Sequence, residues 1–363
     1  MWPGVIRVPE KSDQGSTETG LAELGWKPCY QQQMRDAEEE DRLPARVLAV
    51  HRSVIHVAGE GFETDMPAPI HLGDGPIAVG DWVLVDAGRE RIVRILERSS
   101  IFRRRAPGTD SREQLIAANV DTLFIVSSCN QDFNVARLER YLAIAREAGV
   151  MPVIVLTKAD LCDDSAAYVR QAARLAPGLI VEAVNALDAE SLGCLGSWLE
   201  PGQTIALLGS SGVGKSTLTN SLSGNADIAT EGIRAGDDKG RHTTTVRDMH
   251  RLPGGAWLVD TPGMRELQLT DVRSGLDDVF AEIVELASDC RFADCSHVNE
   301  PGCAVLAAID DGRIDTDRVK RWRKLVREEA ANRESIAERR ARDKSLGRLY
   351  KNILSESHRL KGR

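Results

Sequence analysis

Gln203-Thr204-Ile205-Ala206-Leu207-Leu208 runs directly into Gly209-Ser210-Ser211-Gly212-Val213-Gly214-Lys215-Ser216, and Thr217-Leu218-Thr219-Asn220 follows. The first six residues form an apolar run of strand length and the last begin a helical pattern. The eight between them carry the spacing G-x-x-x-x-G-K-[ST]. Strand, glycine-rich turn and helix N-terminus in that order make a cradle for phosphate. The glycines let backbone N–H groups close around the oxygens, and the helix adds the positive end of its dipole. Lys215 is then placed to reach the terminal phosphates, Ser216 to offer its hydroxyl to Mg2+, and Thr217 to line the same pocket.

Outward from this stretch the same texture repeats. DTLFIVSS (121–128), MPVIVL (151–156) and LIVEAV (179–184) alternate with the helical patterns VARLERYLAIAREAG (135–149) and AAYVRQAARLA (166–176). Continuous aliphatic runs between amphipathic helices predict an α/β unit with a parallel sheet covered on both faces, its functional loops at the carboxyl ends of the strands. Thr157-Lys158-Ala159-Asp160 occupies one such end. A carboxylate there accepts from both N1–H and the 2-amino group of guanine, whereas adenine offers neither donor, so the base read is guanine. Asn185-Ala186 follows the next strand, either as a second base-reading loop through the Ala186 N–H or as a helix cap.

Asp260-Thr261-Pro262-Gly263 ends the strand GAWLVD, with Asp260 available to the Mg2+ sphere and the Gly263 N–H to a γ-phosphate. Between lies Gly240-Arg241-His242-Thr243-Thr244-Thr245. Either Thr244 or Thr245 is expected to close over Mg2+ when triphosphate is bound, as in switch loops that order with ligand. Met264 stands where a water-orienting Gln is often found, and a thioether cannot orient water. His242 is the internal candidate for that catalytic task, with local packing as its alternative role.

The base-reading loop thus precedes the phosphate loop, and the aspartate switch comes last. This order is a circular permutation of the usual GTPase arrangement, tolerated where the termini of a domain lie close together. It leads to the expectation that the base-reading strands lie beside the N-terminal module and the switch beside the C-terminal one.

Residues 1–41 are polar and Gly-, Glu- and Gln-rich, and read as a flexible extension. Over 42–105, ARVLAVHRSVIHVAG, PIAVGDWVLVDAG and ERIVRILER alternate β-branched and polar residues between turns, as in a small OB-like β-barrel. Such a barrel either binds nucleic acid or packs on its neighbour. The GTPase unit is assigned to 112–268 and a helical region to 269–363. That region contains Cys290-x4-Cys295-x-His297-x5-Cys303, four soft or borderline ligands with no position left open for water, the pattern of one structural tetrahedral Zn2+ per chain.

Hydrophobic residues make up 42% of the 363 and aromatics 4%, so the cores are mainly aliphatic. The net charge of −8 argues against a uniformly basic nucleic-acid binder, yet residues 318–363 carry sixteen Lys/Arg against six Asp/Glu. That tail is either a solvated helix face or an electrostatic footprint for RNA. Seven cysteines, three of them clustered, do not form a secreted disulfide framework. With no secretory h-region and no membrane-length apolar run, a cytoplasmic protein is expected.

Together the barrel, T-K-x-D, G-x-S-G-V-G-K-S, H-T-T-T, D-T-P-G, C-x4-C-x-H-x5-C and the basic segment Lys344–Arg348 resemble the RsgA/YjeQ family of circularly permuted GTPases, from about residue 43 to the C-terminus. Thr157 departs from the Asn common in GTPases, and Asn185 stands where a Ser is common. The resemblance implies a monomeric late-assembly factor that binds GTP and GDP and docks on the small (30S) ribosomal subunit and its rRNA, with no membrane partner. The subunit would stimulate its hydrolysis. A nucleotide-gated RNA-binding module with incidental hydrolysis, and a P-loop ATPase or kinase, are the rival readings, the latter opposed by Asp160.

Overall fold

The computed structural model describes residues 20–34, 41–51, 53–69, 72, 75–105, 113–224, 247–260 and 272–332. Five antiparallel strands come first: β1 (Leu43–Val50), β2 (Val54–Gly59), β3 (Phe62–Pro67), β4 (Trp82–Val85) and β5 (Ile92–Ile95). Their order is β3-β2-β1-β4-β5. Alternate residues Ala45, Val47, Ile55, Val57, Val83 and Val85 turn inward to one aliphatic core with Ile92 and Ile95 of the irregularly paired β5, so the alternation in the sequence is the inside–outside pleat of a partly open barrel. A two-stranded hairpin of β6 (Ile101–Arg105) and β7 (Glu113–Ala118) follows, straddling the 105/112 border expected between barrel and GTPase unit.

Next comes the α/β unit. Strands β8 (Thr122–Ser128), β9 (Met151–Thr157), β10 (Ile180–Ala183), β11 (Thr204–Leu208) and β13 (Trp257–Asp260) run parallel in the order β10-β9-β8-β11-β13. Strand β12 (Arg247–Arg251) lies antiparallel to β13. Every residue of β8 is buried because both faces are covered. Leu123 and Ile125 face a core shared with α2 (Val135–Glu147), while Phe124 and Val126 face one shared with Leu218 of α4 (Lys215–Ser223). Asn134 starts α2 by accepting the Arg137 N–H, and Asp164 starts α3 (Ser165–Ala173) by accepting that of Ala167, each meeting a donor the helix leaves unpaired.

The C-terminal arm comprises α5 (Arg273–Val279), α6 (Ala281–Ser288), α7 (Ala304–Asp310) and α8, a helix running through 316–332. Val319, Trp322 and Leu325 bury one stripe of α8. Glu139 on α2 is fully buried and takes Arg318 at 3.2 Å and Arg321 at 2.7 Å, while Arg140 pairs twice with Glu328 at 2.6 Å. Arg318 also donates to the Leu175 carbonyl beyond α3.

These contacts invert the expected neighbours. The barrel joins the sheet on its switch side, where Ala49 pairs with Asp248 and Val50 with Arg247, so one eleven-stranded sheet runs through both units. The arm instead docks on α2 and the end of α3, the base-reading half. Order along the chain does not fix which edge of a sheet a neighbouring module meets, because connections can cross the faces.

Residues 20–34 correct the expectation of a flexible extension over 1–41. Leu24 and Tyr30 are buried, Trp26 meets Trp82 edge-on at 4.7 Å, and α1 (Pro28–Gln32) has Pro at its first position. This strap lies across the junction of barrel and sheet. The Glu23 carbonyl accepts the Trp257 indole N–H at 2.8 Å, and Lys27 pairs with Asp121. Beneath it Arg46, 1% exposed, donates to the Leu24 carbonyl, to the Asn119 carbonyl at 3.3 Å and to Thr204 Oγ1 at 2.6 Å. Burial pulls its guanidinium down to about 10, opposed by the charge of Asp121. Arg46→Met leaves these acceptors unpaired in a dry site. A loss of about 3 kcal/mol in urea unfolding is expected, and a variant as stable as the parent would contradict this.

Candidate functional site

The parallel strands present their carboxyl ends on one side, and two motifs separated in sequence meet there. Gly209 leaves β11 against β8 so closely that a Cβ would lie 2.3 Å from the Val126 carbonyl oxygen. Gly214, at φ 90°, turns the chain into α4 at a conformation only glycine adopts without strain. Lys215 and Ser216 therefore open the first turn of α4, with the Lys215 ammonium folded over the loop onto the Ser210 carbonyl.

Thr157 is the last residue of β9 and is fully buried. Its hydroxyl donates to the Val213 carbonyl at 2.6 Å and lies 3.1 Å from the Ser127 carbonyl. Lys158 takes a left-handed conformation (φ 58°, ψ 32°) and sets its ammonium 2.9 Å from the Gly212 carbonyl. Both residues thus hold the phosphate loop from the base-reading side. Thr157 fills the place of the longer Asn by reaching the loop with a hydroxyl. Ala159 donates to the Val184 carbonyl at 3.3 Å, and Asp160 stands exposed in the one-turn segment Ala159–Leu161.

Asn185 does not point outward from the neighbouring loop. Its Oδ1 accepts the Leu187 N–H at 3.0 Å, and its own N–H donates to Ser191 Oγ at 2.8 Å. Its side chain is a turn cap. Ser221 on α4, which the sequence reading did not single out, donates to the Ala186 carbonyl at 2.6 Å. A hydroxyl on an exposed helical position carries no sequence signal of such a contact.

Asp260 closes β13 opposite Asp248. Gly263 and the run 240–245, with His242, Thr244 and Thr245, lie outside the described residues.

A second cluster sits in the arm. The ligand atoms of Cys290, Cys295, His297 and Cys303 all fall within 4.8 Å of one another. Cys290 Sγ lies 3.8 Å from Cys303 Sγ, and His297 Nδ1 lies 3.5 Å from Cys290 Sγ and 3.4 Å from Cys303 Sγ. An ion with bonds of about 2.3 Å to sulfur and about 2.05 Å to nitrogen has tetrahedral edges of about 3.8 and about 3.6 Å, which these spacings match. The backbone is shaped for it: His297 is left-handed at φ 55°, and Cys303 caps α7 by accepting the Leu306 N–H at 3.4 Å. Burial by itself raises the Cys290 thiol, but hydrogen bonds from the Ala304 and Val305 N–H groups and with Cys303 and Cys295 together hold the group below its ordinary value. Among the described residues no helix is long and apolar enough to cross a membrane.

With this geometry in hand, comparison with known proteins is informative. The RsgA GTPase family model matches residues 95–270, and an ABC transporter model matches 195–347, a span that shares the phosphate loop. The small ribosomal subunit biogenesis GTPase RsgA 2 of Vibrio parahaemolyticus is 49% identical over 344 residues, covering 95% of each chain. The small ribosomal subunit biogenesis GTPase RsgA of Mesorhizobium japonicum is 49% identical over 320 residues, covering 87% of this chain and 92% of its own. The crystal structure of YjeQ from Thermotoga maritima matches with a TM-score of 0.60 at 25% identity, over 80% of this chain and 100% of that one. YloQ, described as a circularly permuted GTPase, shares the fold at a TM-score of 0.55 and 21% identity, over 85% and 98%.

Two outcomes follow from the geometry. Thr157→Val keeps the volume but removes the hydroxyl from the Val213 carbonyl, so GDP affinity measured by fluorescence titration should fall about tenfold. Undiminished affinity would show that the contact does not support the phosphate loop. Cys303→Ser should abolish stoichiometric metal in elemental analysis and lower Tm by about 3–4 °C, the shift that ~2–3 kcal/mol produces in a chain of this size. Retained metal would refute the ligand assignment.

Proposed function

Because this chain belongs to the RsgA GTPase family, we propose that it hydrolyses GTP on the small ribosomal subunit as a late-assembly checkpoint, its turnover stimulated by that subunit. The clasp between base loop and phosphate loop carries the reading. Thr157 and Lys158 bond the carbonyls of Val213 and Gly212, so Asp160 and the loop 209–216 face one ligand at a fixed spacing.

In this proposal Asp160 accepts from N1–H and the 2-amino group of guanine, and an adenine leaves that carboxylate unpaired. The backbone of 209–214 and Lys215 hold the β- and γ-phosphates, with Thr217 beside them. Ser216, Asp260 and either Thr244 or Thr245 hold Mg2+. Bound with the triphosphate, Mg2+ supplies neutralisation of the charge that develops on the transferred phosphoryl oxygens. Gly263 offers its N–H to the γ-phosphate. His242 orients the attacking water, a task Met264 cannot perform. Activating partners contribute about 10³–10⁵ in rate.

Cys290, Cys295, His297 and Cys303 hold one structural Zn2+, whose role is to fix the fold of the arm. The barrel of 42–105 and the arm of 269–363 face rRNA on either side of the GTPase unit of 112–268. The protein works in the cytoplasm as a monomer, without a membrane partner.

The test is multiple-turnover hydrolysis of GTP and ATP, with and without purified small subunits. A GTP preference and a large rise in kcat with subunits are expected. An ATP preference, or turnover indifferent to subunits, would sink the proposal. His242→Ala should keep GTP affinity and lose the stimulated rate, and stimulated turnover at the parental level would remove His242 from the mechanism.

A further inference from the structure

The loop after β10 is bound more tightly than its length requires. The peptide joining Ala186 to Leu187 is held at both ends: its carbonyl accepts from Ser221 Oγ at 2.6 Å, and its N–H donates to Asn185 Oδ1 at 3.0 Å. The preceding N–H, that of Asn185, is committed to Ser191 Oγ at 2.8 Å. The peptide before Ala186 is held through its Asn185 carbonyl, which accepts the Asp188 N–H at 3.1 Å, so the peptides on both sides of Ala186 are fixed and with them its φ and ψ. Among the described residues no acceptor meets the Ala186 N–H itself, so it is the one donor of this run that the loop does not use. Leu187, at the tip, is 81% exposed, so packing of its side chain does not hold the loop.

Ser221 belongs to α4, the helix that the phosphate loop feeds. We infer that Ser221 is a positioning residue for guanine recognition: by holding the Ala186 carbonyl from the phosphate-side helix, it aims the Ala186 N–H at the O6 edge of the base. The inference rests on the guanine-nucleotide reading above. It gives the phosphate-binding helix a direct hold on the base pocket, separate from the clasp at Thr157. The two contacts lie on different loops and act on different atoms of the base. Asp160 reads N1–H and the 2-amino group, and Ala186 reads O6.

That division makes the effect of Ser221 recognisable. Hypoxanthine keeps O6 and lacks the 2-amino group, whereas adenine carries an amine at position 6, which gains nothing from an N–H donor. Ser221→Ala should therefore weaken GDP and IDP by the same factor, about three- to tenfold for one hydrogen bond acting through a backbone donor. ADP binding should not change, so the preference for GDP over ADP shrinks. Asp160→Asn should instead erode GDP more than IDP. Ser221→Thr keeps a hydroxyl on the same carbon and should restore GDP affinity.

The measurement is competition of GDP, IDP and ADP against a fluorescent GDP analogue on the full chain, with melting curves of the ligand-free variants to confirm the fold. GDP affinity of Ser221→Ala within twofold of the parent overturns the inference. So does an equal loss for GDP and ADP, which would mark a general defect of the phosphate loop. If the parent itself binds ADP as tightly as GDP, the guanine reading falls, a result distinct from either of these.

Discussion

A guanidinium shut away from water ties this molecule together. Arg46 sits on β1, yet its acceptors come from the strap, from the turn before β8 and from the start of β11. None of them is a carboxylate, so the charge is met by dipoles, by the face of the Trp82 ring at 5.8 Å and by Asp121 at longer range. Such a group is tolerable only while every acceptor stays in place. The strap, the barrel and the GTPase sheet must therefore dock together, with β1 as the strand they share. It pairs with β2, β4 and β12, and through β12 it lies one strand from β13, which ends at Asp260. Barrel and GTPase sheet are joined by backbone hydrogen bonds, a stiffer link than a linker or a side-chain contact.

On the other side of the sheet, the C-terminal arm leans on the helices of the base-reading half. Glu139 between Arg318 and Arg321 is again a charge that is stable only in its docked setting. The permutation thus connects its two flanking modules crosswise. The barrel reaches β12 and β13, and the arm with the Cys/His cluster reaches α2 and the end of α3.

Much of this was legible in the sequence, and what escaped has a common cause. TLFIVSS (122–128) reads as a doubly covered strand because every position is apolar or small, and the phosphate loop is legible because phosphate imposes its own spacing of glycines. The four metal ligands fall within fourteen residues, so their convergence follows from local chain reach. By contrast, the pairing of Ala49 with Asp248 leaves no trace near either residue, since antiparallel ladders ask only for extended backbone on both sides. The strap was hidden because Leu24, Trp26 and Tyr30 are spaced too irregularly to resemble a helix or strand, and become a buried set only once Trp82 is beside them. Ser221 is one of several hydroxyls on its helix, and only the position of the next loop singles it out. Asn185-Ala186 could be a cap or a base-reading loop in the sequence, and only the placement of Asn185 Oδ1 on the Leu187 N–H shows that its side chain holds the turn.

The seam at β1 also sets a timetable for biosynthesis. A ribosome making this chain releases β1 to β5 early, but Thr204, which Arg46 needs, is added some 150 residues later, and Asp248 later still. Until then the barrel is a half-solvated sheet with an open edge and a cation waiting for its partners, a form prone to pair with other chains. The strap, translated before the barrel, gains Trp257 as the donor to its Glu23 carbonyl only when the parallel sheet is nearly finished. The native seam therefore closes late, and the nascent barrel is the stage at which the chain has most need of protection.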